Sequence, residues 1–273
     1  MRVLHLDLGR QMRGGQYQVM HLMEELSARG IEQRFLSPHG EPFAIRKLRR
    51  DVDVVHAHDA KSHTLAALFA RAPLVVSRRV AFPLKDTWTS RWKYRQPALF
   101  LAVSKYVAGK LMEAGVPAAK IEVIYDGVLP LPLSSRTGPL IACESDDPMK
   151  GSDLIRRSGV KVVFTSDLPE ALKTASGLLY ITREEGLGSA ALLAMAAGVP
   201  VVASRVGGLP EIVEHEHTGL LTENDPGAIA AAAARLFTSD AAVWGAQGRA
   251  LVHSRFLTRH MAEATLLAYR RVM

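Results

Sequence analysis

One stretch of the chain combines acidic side chains, glycines and apolar runs in an order that suits the binding of a phosphorylated ligand. It spans Arg183–Val213 and reads REEGLGSAALLAMAAGVPVVASRVGGLPEIV. Glu185 stands before Gly-Leu-Gly at the predicted start of a helix, where glycines admit a ligand to the backbone and the helix N-terminus attracts an anion such as a diphosphate. Gly207-Gly208 predicts a second tight loop facing the same ligand. Ordinary strand–turn–helix connections also contain such glycines, so the glycines alone do not decide the chemistry.

A second group of residues that could do chemistry is His56, His58 and the following Asp59. Histidines two apart on a strand share one face of the sheet. They could begin a metal site, but the spacing offers no third ligand. We therefore interpret them as hydrogen-bonded histidines and predict no metal site. The sequence contains neither Gly-x-Ser-x-Gly nor a P-loop, which leaves hydrolase and NTPase functions without support.

Aromatic and basic side chains alternate between Phe82 and Phe100, in PLKDTWTSRWKYRQPAL. Tryptophan rings beside cations suit the headgroup layer of a membrane, where the ring is half buried and the cation meets lipid phosphate. A helix with its rings in the core and its cations in water would give the same pattern. The segment also holds Lys85 and Tyr94. We predict membrane or acceptor contact for Trp88, Arg91, Trp92, Lys93 and Arg95.

Composition narrows the choice of partners. The 34 Lys and Arg against 27 Asp and Glu give a formal charge of +7, which favours polyanionic partners such as nucleic acid, an anionic membrane or phosphorylated ligands. No nucleic-acid signature accompanies the charge, so we expect no nucleic acid. A single cysteine, Cys143, excludes an intramolecular disulfide. No apolar run is long enough to cross a bilayer and no leader is visible, so we expect a cytoplasmic protein that is peripheral to a membrane at most.

Short aliphatic strands alternate with amphipathic helices, which predicts βαβ units around parallel sheets. The first series runs from a strand at Arg2–Leu8 to one at Val123–Tyr125. Asp126–Arg136, with Asp-Gly and Leu-Pro-Leu-Pro, then predicts a linker before a second series. Two doubly wound halves would place a ligand cleft at the carboxyl ends of both sheets. We predict an N-terminal domain over 1–128, a shortened C-terminal domain over 129–253, and a helix over 254–273 that packs toward the first domain.

The Arg183–Val213 block resembles the donor-binding signature of the retaining family-4 glycosyltransferases. That signature reads Glu-Gly-Phe-Gly, a helix ending in Glu-Ala-Met-Ala-Ala-Gly, then Pro-Val-Val-Ala and Gly-Gly-x-Pro-Glu. The chain has, in the same order, Glu185-Gly186-Leu187-Gly188, Ala194-Met195-Ala196-Ala197-Gly198, Pro200-Val201-Val202-Ala203 and Gly207-Gly208-Leu209-Pro210-Glu211. The resemblance implies an α/β GT-B fold, in which two Rossmann-like doubly wound domains face each other across a cleft.

The similarity to this family extends along most of the chain. Arg13-Gly14-Gly15 resembles the N-terminal glycine loop, which lies near the donor phosphates and the acceptor, and Met149-Lys150-Gly151 resembles the segment whose lysine contacts the diphosphate. Such a lysine would neutralise charge that develops on the departing nucleotide; an ordinary surface lysine is the alternative. The resemblance implies catalytic roles for Glu185 and Lys150, and donor binding by Gly14, Gly15, Gly186, Leu187, Gly188, Gly208 and Glu211.

The departures from the family pattern concern the same site. Leu193 stands where a second glutamate is usual, and the acidic segment 144–149 lacks the arginine that usually precedes the lysine. The interval from Lys150 to Glu185 is short, as though a strand–helix unit were missing. Each lost charged hydrogen bond would weaken nucleotide binding by ~1.5–3 kcal/mol. Arg13, Arg78 or Arg79 could replace the missing cation, and we add Arg79, near the position of a usual histidine, to the catalytic candidates.

The resemblance implies transfer of a sugar from a nucleoside-diphosphate sugar to an acceptor hydroxyl, with retention at the anomeric carbon. The implied acceptor is a glycolipid or lipopolysaccharide-type glycan at the inner face of the cytoplasmic membrane. No cofactor or metal is expected. The departures favour an alternative, a catalytically degenerate GT-B protein that binds a glycan, nucleotide or partner subunit. A nicotinamide-dependent oxidoreductase would need Gly-x-Gly-x-x-Gly after the first strand, which is missing. The base, sugar, acceptor and oligomeric state stay open.

Overall fold

The computed structural model describes residues 1–9, 14–37, 51–81 and 87–273. Arg13 and Lys85, which the sequence analysis names, lie outside these residues. The chain divides into two compact units, each of which is an α/β layer structure around one parallel sheet. The first unit consists of Met1–Asp126 and Thr258–Met273, and the second of Gly127–Leu257.

The first unit contains a six-stranded parallel sheet in the order β2-β1-β3-β4-β5-β6, and the second a five-stranded parallel sheet in the order β11-β10-β9-β7-β8. The strands are β1 Arg2–Leu6, β2 Glu32–Leu36, β3 Val54–Ala57, β4 Leu74–Arg78, β5 Leu99–Ala102, β6 Ile121–Val123, β7 Leu140–Cys143, β8 Val163–Thr165, β9 Gly177–Tyr180, β10 Val201–Ser204 and β11 Leu220–Thr222. The two halves therefore show the alternating strand–helix pattern that the sequence predicts.

The described helices connect these strands and cover their faces. They are α1 Gly14–Ala28, α2 Ala60–Phe69, α3 Trp88–Arg95, α4 Lys105–Glu113, α5 Ser152–Arg157, α6 Leu168–Ala171, α7 Ser189–Ala196, α8 Pro226–Ala234, α9 Asp240–Arg255 and α10 Thr258–Val272. Short 3-10 turns lie at Ala118–Lys120, Pro148–Lys150, Leu209–Glu211 and Arg235–Phe237. Within these described residues, no helix combines the length and apolar character needed to cross a bilayer.

The central strands consist mostly of apolar residues because both faces of each sheet are covered by helices. All four residues of β5, Leu-Phe-Leu-Ala, are buried. Its pairing with β6 ends at Ala102 opposite Val123. The strand predicted at Val123–Tyr125 is therefore placed two residues too late, since β6 spans Ile121–Val123. The Ile124 amide still donates to the carbonyl of Ala102, the last residue of β5, at 2.9 Å.

The last helix, α10, belongs to the first unit. Its buried face, which includes Met261, Ala268 and Tyr269, joins the same apolar core as Leu22 and Leu26 of α1. At the start of α10, the Thr258 hydroxyl donates to Glu25 Oε1 of α1 at 2.7 Å. The chain thus returns to its first sheet after completing the second unit, and this return places Tyr269 beneath the histidines described below.

Candidate functional site

The loops after β7 and β9 lie side by side because these two strands are neighbours in the second sheet. The Arg183 amide and the Thr182 hydroxyl both donate to the carbonyl of Met149, at 2.8 and 2.9 Å. These bonds tie the glycine-rich loop to the lysine segment. They bring Lys150 and Glu185 together, although 35 positions separate the two residues in the chain.

Glu185 is the centre of the hydrogen bonds in this group. Its Oε2 accepts from Lys150 Nζ at 2.9 Å and from the Tyr180 hydroxyl at 2.6 Å, and its Oε1 accepts from the Gly186 amide at 3.0 Å. The Lys150 side chain is 40% exposed but that of Glu185 only 16%. The lysine can therefore reach an incoming anion, while the carboxylate stays fixed at the base of the site.

Two neutral groups border this ion pair. Burial raises the pKa of the Tyr180 phenol well above its usual value, and the neighbouring Glu185 charge raises it further. Burial likewise raises the pKa of the Cys143 thiol, against a smaller opposing effect of Lys150. Both groups stay protonated at neutral pH. Lys150 and Glu185 are thus the charges of the cluster, and Tyr180 is a neutral hydrogen-bond donor to it.

Helix α7 begins directly after Glu185-Gly186-Leu187-Gly188. Gly188 has a φ of 111° and provides no side-chain cap. A Cβ at this position would lie 2.6 Å from Leu209 Cδ2. The first amides of α7 therefore have no capping side chain, and the positive end of the helix dipole suits an anion. The Leu187 side chain is buried in the core, so it is the main chain of this residue that could serve a ligand.

Gly207 and Gly208 hold the loop in place from behind. The Gly208 amide donates to the Glu185 carbonyl at 3.1 Å. A Cβ at Gly207 would lie 2.0 Å from the Glu185 oxygen, and one at Gly208 would lie 2.1 Å from the Gly186 oxygen. The two backbones can approach this closely because both positions lack a side chain. Glu211 ends the next 3-10 turn and is half-buried, and its donor-binding role stays a prediction.

In the first unit, Arg79 lies beside the start of α1. Its Nε donates to Asp126 Oδ1 at 3.0 Å, and both side chains are nearly buried. Its Nη1 is buried without a hydrogen-bond partner among the described residues. A Cβ at Gly15 would lie 4.0 Å from Arg79 Cδ, whereas nothing described lies within 4 Å of a Cβ at Gly14. The Arg79 side chain thus lies next to the N-terminal glycines in the first unit.

The histidines of β1 and β3 form a buried cluster. His5 pairs in register with His56, and its Nδ1 lies 2.9 Å from His58 Nε2. His56 contacts the hydroxyls of Tyr269 and Ser77 at 2.6 and 2.8 Å. Burial lowers the pKa of His5 to about 4, and it lowers those of the other two well below the ordinary value. All three rings are therefore neutral at pH 7.

This cluster supplies the third histidine that the sequence spacing did not reveal. The candidate ligand atoms of His5, His56 and His58 lie within 4.8 Å of one another. Zinc bound by such nitrogens would lie about 2.0–2.1 Å from each of them, and the absence of a metal site here stays a prediction. The positive charge of Arg79 also acts on His56 and His58 and would oppose a cation. The rings form a neutral hydrogen-bonded network, in which His5 Nε2 and His58 Nδ1 are buried without a hydrogen-bond partner among the described residues.

The aromatic and basic segment lies on α3, which has no buried residue. Trp88 is 80% exposed. Lys93 instead donates to Ala60 O and Thr64 Oγ1 of α2, at 3.3 and 3.1 Å. Tyr94 stacks on Phe100 with ring centroids 5.5 Å apart. The segment therefore divides into an inner side, which packs on the unit, and an outer side with Trp88.

A groove of about 610 Å³ lies between α3 and the segment 113–120. Its lining includes the basic residues Arg91, Arg95 and Lys120, with Glu113 as the acidic residue. Glu113 pairs with Lys110 at 2.8 Å, so the groove keeps a net positive charge. Lys120 Nζ donates to the carbonyls of Arg95 and Pro97 at 3.1 and 2.9 Å, which fixes one wall.

The fold places the chain in the GT-B class: two Rossmann-like α/β units, each with a parallel sheet. Two family models match consecutive segments. The model described as Glycosyltransferase Family 4 matches residues 41–129, and that described as Glycosyl transferases group 1 matches residues 140–239. The chain therefore belongs to the family-4 type of GT-B glycosyltransferases, and the second match contains the Lys150–Glu185 cluster.

Individual relatives are similar over shorter stretches. Alpha-maltose-1-phosphate synthase of Mycolicibacterium smegmatis is 38% identical over 129 residues, 42% of this chain and 33% of the relative. A GDP-mannose-dependent alpha-(1-6)-phosphatidylinositol monomannoside mannosyltransferase of Mycobacterium tuberculosis is 43% identical over 75 residues, 26% of this chain and 20% of the relative. The aligned regions span a third or less of the length of these curated relatives.

Solved structures match nearly the whole chain in fold. HepE of Anabaena, in complex with UDP and glucose, has a TM-score of 0.81 at 17% identity and covers 99% of this chain and 100% of its own. Sucrose-phosphate synthase of Thermosynechococcus elongatus has a TM-score of 0.83 at 16% identity and covers 99% and 98%. At such identities the likeness shows the fold.

Proposed function

We propose that the protein transfers a sugar from a nucleoside-diphosphate sugar to an acceptor hydroxyl, with retention at the anomeric carbon. The bond between the anomeric carbon and the diphosphate breaks, a bond to the acceptor oxygen forms, and the hydroxyl proton is released. The observation that carries the proposal is the Lys150–Glu185 pair, 2.9 Å apart, directly before the uncapped start of α7. A cation, an acceptor for sugar hydroxyls and a helix N-terminus are the groups that such a donor requires.

Each part of this group has a distinct task in the proposed reaction. The half-exposed Lys150 and the N-terminus of α7 hold the diphosphate and stabilise the charge that develops as it leaves. Glu185 accepts a hydrogen bond from a hydroxyl of the donor sugar. Since the cation and the helix dipole supply the positive charge, the leaving group needs no metal. The nucleotide complexes of HepE and the GDP-mannose dependence of the mycobacterial relative support a nucleotide-sugar, and they leave uridine and guanosine both as candidates.

Replacing Lys150 by alanine is expected to weaken nucleoside-diphosphate binding roughly tenfold to a hundredfold, because a charged hydrogen bond contributes ~1.5–3 kcal/mol. Isothermal titration with UDP and GDP measures this. Lys173→Ala is the matched control, since Lys173 is also in the second unit and pairs with Glu170 on the surface. Equal affinities of both variants and the wild type would contradict the assignment of Lys150.

We further propose a glycolipid or lipopolysaccharide-type glycan as the acceptor, reached at the inner face of the cytoplasmic membrane. The exposed Trp88 and the basic groove with Arg91 and Arg95 support this proposal, because a ring at headgroup depth and cations near lipid phosphate both favour an anionic surface. Lys93 contributes less, since its ammonium is bonded to α2.

Co-sedimentation with vesicles tests this surface. The wild type should bind phosphatidylglycerol-containing vesicles more strongly than pure phosphatidylcholine. Arg91→Gln and Arg95→Gln should each weaken that binding about fivefold, the effect of ~1 kcal/mol per cation. Trp88→Ala should weaken it too, whereas Phe237→Ala, a 73% exposed aromatic residue of the second unit, should not. Equal binding of all variants would rule out α3 as the contact.

Two features favour a second function, a GT-B protein that binds without transferring. Leu193 on α7 cannot accept hydrogen bonds, and the segment before Lys150 is acidic. Titration with UDP, GDP, ADP and CMP, each with and without an attached sugar, separates the two functions. Selective binding of one nucleotide-sugar, followed by loss of transfer in Glu185→Ala, supports the enzyme. An absence of nucleotide binding across the panel supports the non-catalytic alternative.

A further inference from the structure

We propose that Tyr180 is a positioning residue that holds Glu185 for the donor sugar and leaves one carboxylate oxygen, Oε1, for a sugar hydroxyl. This inference rests on the proposed function, because it assigns Glu185 to the sugar. It adds a residue that the glycine-rich signature does not contain, since Tyr180 is the last residue of β9.

The hydrogen bonds of the Glu185 carboxylate show which of its acceptor positions are occupied. A carboxylate oxygen has two lone pairs. Oε2 of Glu185 uses both, for Lys150 Nζ at 2.9 Å and the Tyr180 hydroxyl at 2.6 Å. Oε1 accepts from the Gly186 amide at 3.0 Å, which leaves it one lone pair. In this arrangement, with Lys150 on Oε2, the open acceptor position of Glu185 is on Oε1.

A bound diphosphate would attract the Lys150 ammonium away from Glu185. Lys150 is 40% exposed and can turn toward an anion. Oε2 then keeps only its bond from Tyr180. The phenol is largely desolvated, and this desolvation raises its pKa well above the ordinary value, so it stays a donor throughout the neutral range. The carboxylate therefore holds its orientation while Lys150 serves the leaving group.

The surroundings of the ring fix its position as well. A Cβ at Gly188 would lie 3.4 Å from Tyr180 Cε1, so the ring lies under the start of α7. It therefore connects Glu185 to the helix N-terminus that faces the proposed diphosphate. A neutral anchor suits this place, because a second cation on Oε2 would itself be attracted to the phosphate and away from the carboxylate.

Tyr180→Phe tests the proposal, since it keeps the ring and removes only the hydroxyl. Isothermal titration compares UDP with UDP-glucose and GDP with GDP-mannose. We expect the extra affinity that the sugar provides to fall roughly tenfold, the effect of one lost hydrogen bond to a charged group. Affinity for the nucleotide alone should change by less than about twofold.

Tyr269→Phe is the matched control. It also removes a hydroxyl that makes a 2.6 Å hydrogen bond, but this hydroxyl is fully buried and contacts His56 in the first unit. The control should leave the contribution of the sugar unchanged. Unchanged sugar-dependent affinity in Tyr180→Phe, or an equal loss in Tyr269→Phe, would overturn the proposal.

A failure of the proposed function gives a different result. The wild type would then bind none of the four probes, and a role toward a donor sugar would fall with that function. Crystal structures of the wild type and Tyr180→Phe decide separately whether Tyr180 holds Glu185. The carboxylate should leave its place in the variant; an unmoved carboxylate would refute the holding role.

Discussion

Replacing Gly207 by alanine is expected to lower the free energy of unfolding by about 4 kcal/mol. Two costs combine at this position. Its φ of +58° lies in the left-handed region, which costs a non-glycine residue ~1–2 kcal/mol. The new Cβ would also lie 2.0 Å from the Glu185 carbonyl oxygen, and overpacking of this kind costs typically ~1–3 kcal/mol because the backbone has to shift. Urea unfolding measures the sum.

Gly159→Ala separates the two costs. Gly159 is in the same unit and has a φ of +72°, but nothing described lies within 4 Å of a Cβ there. This variant should lose only the conformational part, ~1–2 kcal/mol. The shift that Gly207→Ala forces on the Glu185 backbone should also weaken nucleotide-sugar binding, which Gly159→Ala should leave intact. Equal destabilisation by the two substitutions would show that the loops do not pack as closely as described.

The sequence predicts most directly those residues of the site that lie next to one another in the chain. Glu185 and the glycines around it occupy one short segment, and the order strand–loop–helix already places them at the carboxyl end of a strand. Lys150 comes from another loop, and its place beside Glu185 follows from the pairing of β7 with β9. The sequence predicts both residues through the resemblance to a family, and the structure supplies the 2.9 Å contact between them.

The residues that the sequence analysis missed depend on pairing between distant segments. Tyr180 ends an apolar strand, and nothing in Gly-Leu-Leu-Tyr distinguishes a phenol that packs in the core from one that bonds a carboxylate. His5 lies on β1 and becomes a neighbour of His56 only through the parallel register of β1 and β3. A histidine at the matching position of each of two adjacent strands was the available signal, but its use requires the strand order.

The presence and boundaries of some strands also depend on tertiary structure. The strand at Glu32–Leu36 has mostly exposed side chains and mixes charged with apolar residues, so its pattern is weak. It forms because every residue from Arg2 to Leu6 pairs with it at the edge of the sheet. Tertiary pairing here overrides a weak local preference.

Acidification from pH 6.5 to pH 4 is expected to destabilise the first unit strongly. In the unfolded chain His5 takes up its proton near pH 6.5, whereas burial lowers its pKa in the folded unit to about 4. Above pH 6.5 both states are neutral and the group has no effect. Below it the unfolded state binds more protons, so stability falls until pH 4, by about 3 kcal/mol for His5 alone. His56 and His58 act in the same direction because their pKa values are also lowered by burial.

The slope of stability against pH distinguishes this titration from a simple loss of packing. In His5→Gln, which removes the titrating group, the free energy of unfolding should fall less steeply between pH 6.5 and pH 4 than in the wild type, whatever its value at pH 7.5. His217→Gln replaces an exposed imidazole of the second unit and should keep the wild-type slope. Urea unfolding at several pH values gives both slopes. The same steepness in His5→Gln as in the wild type would mean that the buried cluster does not cause the acid sensitivity. A flatter profile would show instead that neutral, desolvated imidazoles set the lower pH limit of the fold. Among the described residues, the rings of His5, His56 and His58 bond to one another and to hydroxyls, and these partners do not stabilise an added positive charge as a carboxylate would.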